Sequence, residues 1–323
     1  MPDLALPDTP RWISAVSRVI RALPAGRYRA MNWVAGRGSA PFWARLPDDL
    51  GGLRYRCDLR DVLMREVCIT GRYEPQETIL IQNILGPGMT FVDVGANWGY
   101  FTLGAAHLVG ASGRVVSVEA DPRAAETLSG NIVKNDLASV RVVGTAASDG
   151  DQILTFFSYG SSSDRSANFG VALGGLPGDG RPCFDVRARP LDSILDEHGV
   201  ERVDLLKMDI EGAERRALAG LGRRLGAGLI DRIILELHPD HLRAQGDSVE
   251  AVVSGLEAQG YVAWLIDHSP ATHARAASAR LNAHSLLAPL TGARALALQD
   301  RWPHVLFAYR GLGPLSSHQR SDA

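Results

Sequence analysis

From Met89 onward, short apolar runs alternate with helical stretches, and this alternation leaves few folds open to the chain. The runs 90–94, 115–118, 140–144, 203–208, 231–237 and 261–266 are continuous in apolar residues, mostly Val, Ile and Leu. Such runs are expected of parallel strands covered on both faces. Helical stretches at 99–109, 123–135, 211–224 and 247–259 fall between most of them. Strands separated by helices imply a doubly wound α/β sheet with right-handed crossovers. His304 to Tyr309 reads as a last strand. The predicted fold is Rossmann-like α/β, a mainly parallel seven-stranded sheet with helices on both faces.

Composition narrows the class further. The 323 residues are 46% hydrophobic and 22% charged, with a net charge of -2. No positive field is present, so nucleic acid is not an expected partner. No apolar run approaches the roughly 20 residues that span a bilayer, so no transmembrane segment is expected. Cys57, Cys68 and Cys183 show neither metal-ligand spacing nor a disulfide framework, which suits a reduced cytoplasmic setting.

Three regions are expected: a helical extension (1–67), a core (68–267), and a cap segment with the final strand (268–323). Trp12, Ile13, Val16, Val19, Ile20 and Leu23 form a helical stripe, with Arg18 and Arg21 on the polar side. It suits a helix packed on the domain or on a second subunit, or one lying on a membrane surface. A homodimer therefore stays open. Gln152–Phe157 and Cys183–Ala188 read as strands. Between them 158–182, dense in Gly, Ser and Asp, reads as a substrate-side or flexible loop. Residues 268–301 are expected to form a lid or cap.

In open α/β sheets ligands sit beyond the carboxyl ends of the strands. Asp93 ends the first core strand and Glu119 the second. Gly95 and Gly99 permit a tight turn that a cofactor can approach closely. The turn lacks the G-x-G-x-x-G of a pyrophosphate site, and Asn97 projects a side chain where bare backbone is needed. S-adenosylmethionine has no phosphate. Asp93 and the turn residues Gly95, Ala96, Asn97, Gly99 and Tyr100 suit its methionine half. Glu119, with Ala120 beside it, suits its ribose.

A second block, Leu206 to Glu214, places Lys207, Asp209 and Glu211 at a strand end. A buried lysine needs a carboxylate partner, and Asp209, Glu211 or Glu236 can supply one. A structural ion-pair cluster accounts for the block as well as a catalytic one does. Methyl transfer is largely a matter of positioning, helped by a base that takes the acceptor's proton. Asp209, Glu211, Glu236 and His238 are the candidates, His238 for its ordinary pKa and Asp209 as the preferred site residue. Asp209, Glu236, His238 and His241 are also metal-ligand types, but no tight ligand motif is present and no metal is expected.

Gly71-Arg72-Tyr73-Glu74-Pro75, Gly88 to Tyr100, Val118 to Pro122 and Leu206 to Glu214 together resemble the FkbM family of class I methyltransferases. Leu191 to Leu195 and Ile234 to Pro239 also fit, so the resemblance covers about residues 68–240. It implies an S-adenosylmethionine-dependent O-methyltransferase acting on a sugar, glycoside or natural product. It also implies cofactor roles for Glu74, from the Tyr-Glu-Pro pattern, and for Ser148 and Asp149 after the third strand. Trp98 stands where members carry a smaller apolar residue. The rival readings are an NAD-dependent oxidoreductase and a non-catalytic cofactor-binding subunit.

Overall fold

The computed structural model describes residues 6–23, 30–31, 40–158, 169–171, 183–278, 281–298 and 302–315. Helix α1 (Arg11–Ala22) leads to an antiparallel pair, β1 (Phe42–Arg45) and β2 (Arg54–Cys57). Helices α2 (Val62–Thr70) and α3 (Pro75–Ile84) precede the first core unit, β3 (Thr90–Val94), α4 (Tyr100–Val109) and β4 (Arg114–Val118). Then come α5 (Pro122–Lys134) and β5 (Val140–Val143). A side sheet follows, made of β6 (Ala146–Ser148), β7 (Gln152–Ser158), β8 (Phe169–Val171) and β9 (Cys183–Pro190). The chain returns through α6 (Leu191–Glu197), β10 (Leu205–Met208), α7 (Glu214–Ala219), α8 (Arg223–Gly226) and β11 (Arg232–Glu236). It continues through α9 (Pro239–Ala244), α10 (Val249–Ala258), β12 (Tyr261–Ile266) and α11 (Pro270–Ser278). The last elements are β13 (Leu287–Leu290), α12 (Gly292–Ala295) and β14 (His304–Tyr309).

The main sheet has eight strands, ordered β13-β12-β14-β11-β10-β3-β4-β5. Pairings from β11 to β5 are parallel, and those from β11 through β14 and β12 to β13 are antiparallel. All seven expected strands are present. The eighth, β13, falls in 268–301, where the sequence suggested a lid or cap. It is a short edge strand carrying Pro289, a residue tolerated at edges and silent in an apolar-run pattern. The expected helix 211–224 is two short helices, separated at Gly220 to Gly222. Most of the expected 158–182 loop lies outside the described residues.

Both faces of the sheet are covered. Phe91, Val115, Leu205 and Ile234 pack with Leu103 and Ile81 on one side. Val92, Val116, Leu206 and Ile233 pack with Leu191, Leu218 and Val252 on the other. The helix starts are locally encoded. Asp121 caps α5 by accepting from Arg123 N at 2.9 Å, with Pro122 behind it.

The described part of the N-terminal extension shares this core. Ile13 and Ile20 of α1 are buried, while Trp12 and Val19 remain 42% and 62% exposed. Arg21 Nε and Nη2 donate to the carbonyls of Ile69 and Cys68, closing the end of α2. Asn131 of α5 and Asn135, its C-cap, accept from the N–H groups of Arg56 and Arg54, each at 2.8 Å. These bonds, each worth about 1 kcal/mol, fasten β2 beside the carboxyl ends of the parallel strands. Among the described residues, no helix is long and apolar enough to cross a membrane.

Candidate active site

Strand register sets the charged side chains in a row. Lys207 on β10 pairs with Asp93 on β3, which pairs with Ser117 on β4. Alternation along each strand puts all three on the face that carries Phe91 and Val115. Ile234 on β11 is level with Lys207, and Glu236, two residues further on, shares its face and pairs with His304 on β14.

Asp93 is 1% exposed. Its Oδ2 accepts from Thr102 Oγ1 at 2.6 Å, and that hydroxyl lies 2.8 Å from Ser117 Oγ. Its Oδ1 is buried without a hydrogen-bond partner. Burial pushes its pKa up, against the opposing pull of Lys207 and Thr102. Lys207 Nζ lies 3.7 Å from Asp209 Oδ2 and 4.6 Å from the centre of the Phe101 ring. Burial opposes its charge, but Asp209, Glu74, Asp93 and Glu236 outweigh burial and raise its pKa. Asp93, expected at the cofactor, thus sits inside an ion-pair network and not among the residues lining the cleft described next.

A cleft of about 720 Å³ opens where β3, β4 and β10 end. Its wall includes Gly95, Asn97, Glu119, Ala120, Asp209 and Glu211. Gly95 has φ +81°, and a Cβ there would stand 1.9 Å from the Asp209 carbonyl. Glycine is required because the turn lies directly against the chain leaving β10. Asn97, at φ +50°, donates its N–H to Glu119 Oε2 at 2.6 Å, and Asp121 N donates to Glu119 Oε1 at 2.7 Å. Burial pushes the Glu119 carboxyl up to about 7 in spite of these two bonds. The Asn97 side chain accepts from Trp98 N, and Trp98 stacks on Tyr55 of β2 at 4.7 Å.

The other expected cofactor residues are placed differently. Gly99 packs on Leu128, whose Cδ1 would lie 2.3 Å from an added Cβ. Ala96 is buried, and the buried Tyr100 hydroxyl lies 3.1 Å from Thr78 Oγ1. Ser148 donates to Asp149, which also binds Arg216, so the pair ties β6 to α7. Thr145, Ala146 and Ala147 line the cleft in their place. Glu74 is half-buried at the start of α3, with Oε2 unpartnered and φ +38°, while the preceding Tyr73 reaches the cleft. Arg56, Asp58, Asp61 and Met64 also line it. They lie in the stretch read from sequence as a helical extension, to which no site residue was assigned.

The model of the methyltransferase FkbM domain matches residues 93–263, more than half of the chain. The chain belongs to the FkbM methyltransferase family. The chain is also similar to part of the AMB antimetabolite synthetase AmbE of Pseudomonas aeruginosa, at 29% identity over 208 residues. That match covers 55% of this chain and 10% of AmbE, so the chain spans a small fraction of that relative. Among solved structures, it is similar to methyltransferase FkbM from Methylobacillus flagellatus KT at 17% identity and TM-score 0.41. The alignment covers 92% of this chain and 60% of that one. It is similar to fibrillarin of Aeropyrum pernix at 13% identity and TM-score 0.39, covering 72% and 73% of the two chains.

Beside the cleft the FkbM domain gathers acids around one histidine. His238 caps α9, and its Nδ1 lies 3.0 Å from Oε1 of the fully buried Glu214. Its Nε2 lies 3.5 Å from Glu211, 3.7 Å from Glu236 and 3.9 Å from Asp209. Gly212 makes this possible, since a Cβ there would stand 2.3 Å from His241 Cβ on α9. Burial works against the imidazolium, but Glu214, Asp209 and Glu211 outweigh it and hold His238 up to about 9. That shift favours the imidazolium at neutral pH and so weighs against the expected role of His238 as a neutral-pH base. Burial, then the charges of Asp209 and Glu74, push Glu236 up to about 11. Asp209 goes the other way: Lys207, His238 and His304 outweigh its burial and lower its pKa. Glu211 sits in the left-handed region at φ +54°, a strained conformation of the kind found at working sites. Glu214, which pins the histidine, reads from sequence only as an acid in a helix's first turn.

Proposed function

We propose that this protein transfers the methyl group of S-adenosylmethionine to a hydroxyl of a sugar, glycoside or secondary metabolite. One observation carries the reading: a single cleft brings Gly95, Asn97 and Glu119 together with Asp209 and Glu211. A carboxylate has about four acceptor positions. Backbone N–H groups use two of those of Glu119, which leaves acceptors for both hydroxyls of a ribose. Asp58, Asp61, Glu119, Asp121, Glu126, Asp209 and Glu211 outnumber Arg56 and Arg123 and make the lining acidic. That field suits a sulfonium cation and repels a pyrophosphate, so it favours S-adenosylmethionine over a nicotinamide dinucleotide.

When bound, S-adenosylmethionine supplies an electrophilic methyl group. The protein's own work is then to orient the acceptor and receive its proton. Burial pushes the Glu236 carboxyl up to about 11, and neighbouring acids hold His238 up to about 9, which disfavours both as the base at neutral pH. Asp209 lines the cleft, and Lys207 and His238 lower its pKa; it is our candidate to accept the hydroxyl proton as the new bond forms. Similarity to a protein named as an antimetabolite synthetase supports a secondary-metabolite acceptor. The free cysteines suit a cytoplasmic setting.

Calorimetry with S-adenosylmethionine tests the cofactor assignment: Glu119→Ala should weaken binding at least about tenfold, roughly 1.4 kcal/mol. Asp209→Asn should keep binding and lose transfer. Incubating extracts with methyl-labelled cofactor should yield a labelled methyl ether of small mass. A labelled amine, protein or nucleic acid would refute the acceptor class. Tight NADH binding without S-adenosylmethionine binding would replace the reading with an oxidoreductase.

A further inference from the structure

Outside the cleft wall, Glu77, His268 and His304 form a cluster that no step above uses. Glu77 projects from α3 and is fully buried. Its Oε1 lies 2.5 Å from His268 Nε2 and 2.9 Å from His304 Nδ1. Its Oε2 is buried with no hydrogen-bond partner. The two imidazoles stack with centres 3.6 Å apart and planes 10° from parallel, so both present a nitrogen to one carboxylate. One ligand atom from each of the three residues falls within 4.8 Å of the others.

We propose that Glu77, His268 and His304 bind a divalent transition-metal ion of the zinc class. Two imidazole nitrogens and a carboxylate are a ligand set that zinc takes, with one position left for water. Imidazole nitrogen selects such ions over magnesium and calcium, which prefer oxygen. Bonds of about 2.1 Å in a tetrahedron put ligand atoms about 3.4 Å apart, so binding lengthens the two Glu77–histidine contacts by under about 1 Å and turns the half-buried His268 ring out of the stack, because the ion must lie in the plane of each imidazole. The unpartnered Oε2 is a second donor for the same ion. The other ring nitrogen of His304, Nε2, faces Glu236 Oε1 at 3.6 Å and so is not turned toward the proposed ion. The other acid–histidine groups, Asp209–Glu211–His238 and Glu74–Glu236–His304, contain one histidine each.

The three ligands come from α3, from the segment after β12 and from β14. The ion therefore fastens the C-terminal part of the sheet to α3. It binds the folded chain and not the unfolded one, so it stabilises by mass action. This site departs from the sequence expectation of no metal, because residues 77, 268 and 304 make no spacing motif.

The test uses the full chain, stripped with a chelator and titrated with zinc chloride alone. One ion per chain and a raised melting temperature are expected. Cobalt substitution should give the visible absorption of a tetrahedral site. His268 is 24% exposed at its side chain, so His268→Asn should fold, as circular dichroism can verify, and weaken zinc binding at least about tenfold, roughly 1.4 kcal/mol. Glu77→Gln should abolish it. No binding up to about 100 μM zinc, a Kd worth roughly 5.5 kcal/mol, would overturn the site. So would binding that survives His268→Asn and is lost in His238→Asn, which would place the ion at Asp209–Glu211–His238.

Discussion

Replacing Lys207 with methionine tests whether the row of charges under α4 is a balanced network. Methionine keeps most of the stem volume, so little cavity is created and the change is one of charge. At 3.7 Å and an effective dielectric near 20, the Lys207–Asp209 attraction alone is worth about 4.5 kcal/mol. Removing one member of a buried ion pair typically costs about 3–5 kcal/mol, a large part of the 5–15 kcal/mol that holds most domains folded. The pH profile is the sharper readout. Lys207 has a raised pKa, so its contribution is complete below its unfolded pKa and lost only as pH rises through the folded one. Between pH 5 and 8 its own charge is therefore constant. In Lys207→Met, burial and mutual repulsion raise Asp93, Asp209 and Glu74, so the folded state binds more protons than the unfolded state. Stability of the variant should then fall as pH rises across this window, by about 1.4 kcal/mol per unit for each proton involved. Urea unfolding of both proteins at pH 5.5, 6.5 and 7.5 would show the deficit widening with pH. Parallel curves, or a deficit below about 1 kcal/mol, would refute the network, since a buried pair costs more to break.

Three further outcomes follow from the same geometry. Glu119 stands at about 7, so S-adenosylmethionine affinity should improve as pH rises through 7 and the carboxylate becomes free to accept ribose hydroxyls; a pH-independent Kd by calorimetry would count against this contact. Glu214→Gln should bring His238 down from about 9 toward the ordinary 6.5, as read by NMR titration; stability that His238 contributes below 6.5 and loses as pH rises through 9 should shrink accordingly. Gly95→Ala forces a side chain onto a left-handed residue 1.9 Å from a backbone carbonyl and should cost roughly 2–5 kcal/mol in thermal or urea unfolding, whereas Gly86→Ala meets nothing within 4 Å and should be nearly neutral.

Much of the fold is legible in the chain because strand and helix periodicities are local. Residues 90–94, 115–118 and 261–266 announce buried strands through continuous apolar runs, and Asp121-Pro122 announces a helix start. β13 escapes such reading, since a four-residue edge strand with a proline has no pattern of its own. The candidate site is legible where chemistry sits beside a turn. Glu119, Asn97 and Asp209 meet at one cleft as their positions at strand ends suggest. Asp93 has the same sequence credentials, yet strand parity turns its carboxylate to Thr102 and Lys207.

What the sequence alone determined is the layer order, the strand ends that carry acids, and membership in a family built on them. Those follow from short-range periodicity and from motifs within a few residues of each other. The tertiary structure alone decided which acids face the cleft, which are neutral, and which partner the histidines. It brought Glu214 to His238, Glu77 to His268 and His304, and Arg56 to the cleft wall across 24 residues or more of chain. Burial and mutual charge then set each group's protonation. Neither can be read locally, because both sum over neighbours that only folding assembles.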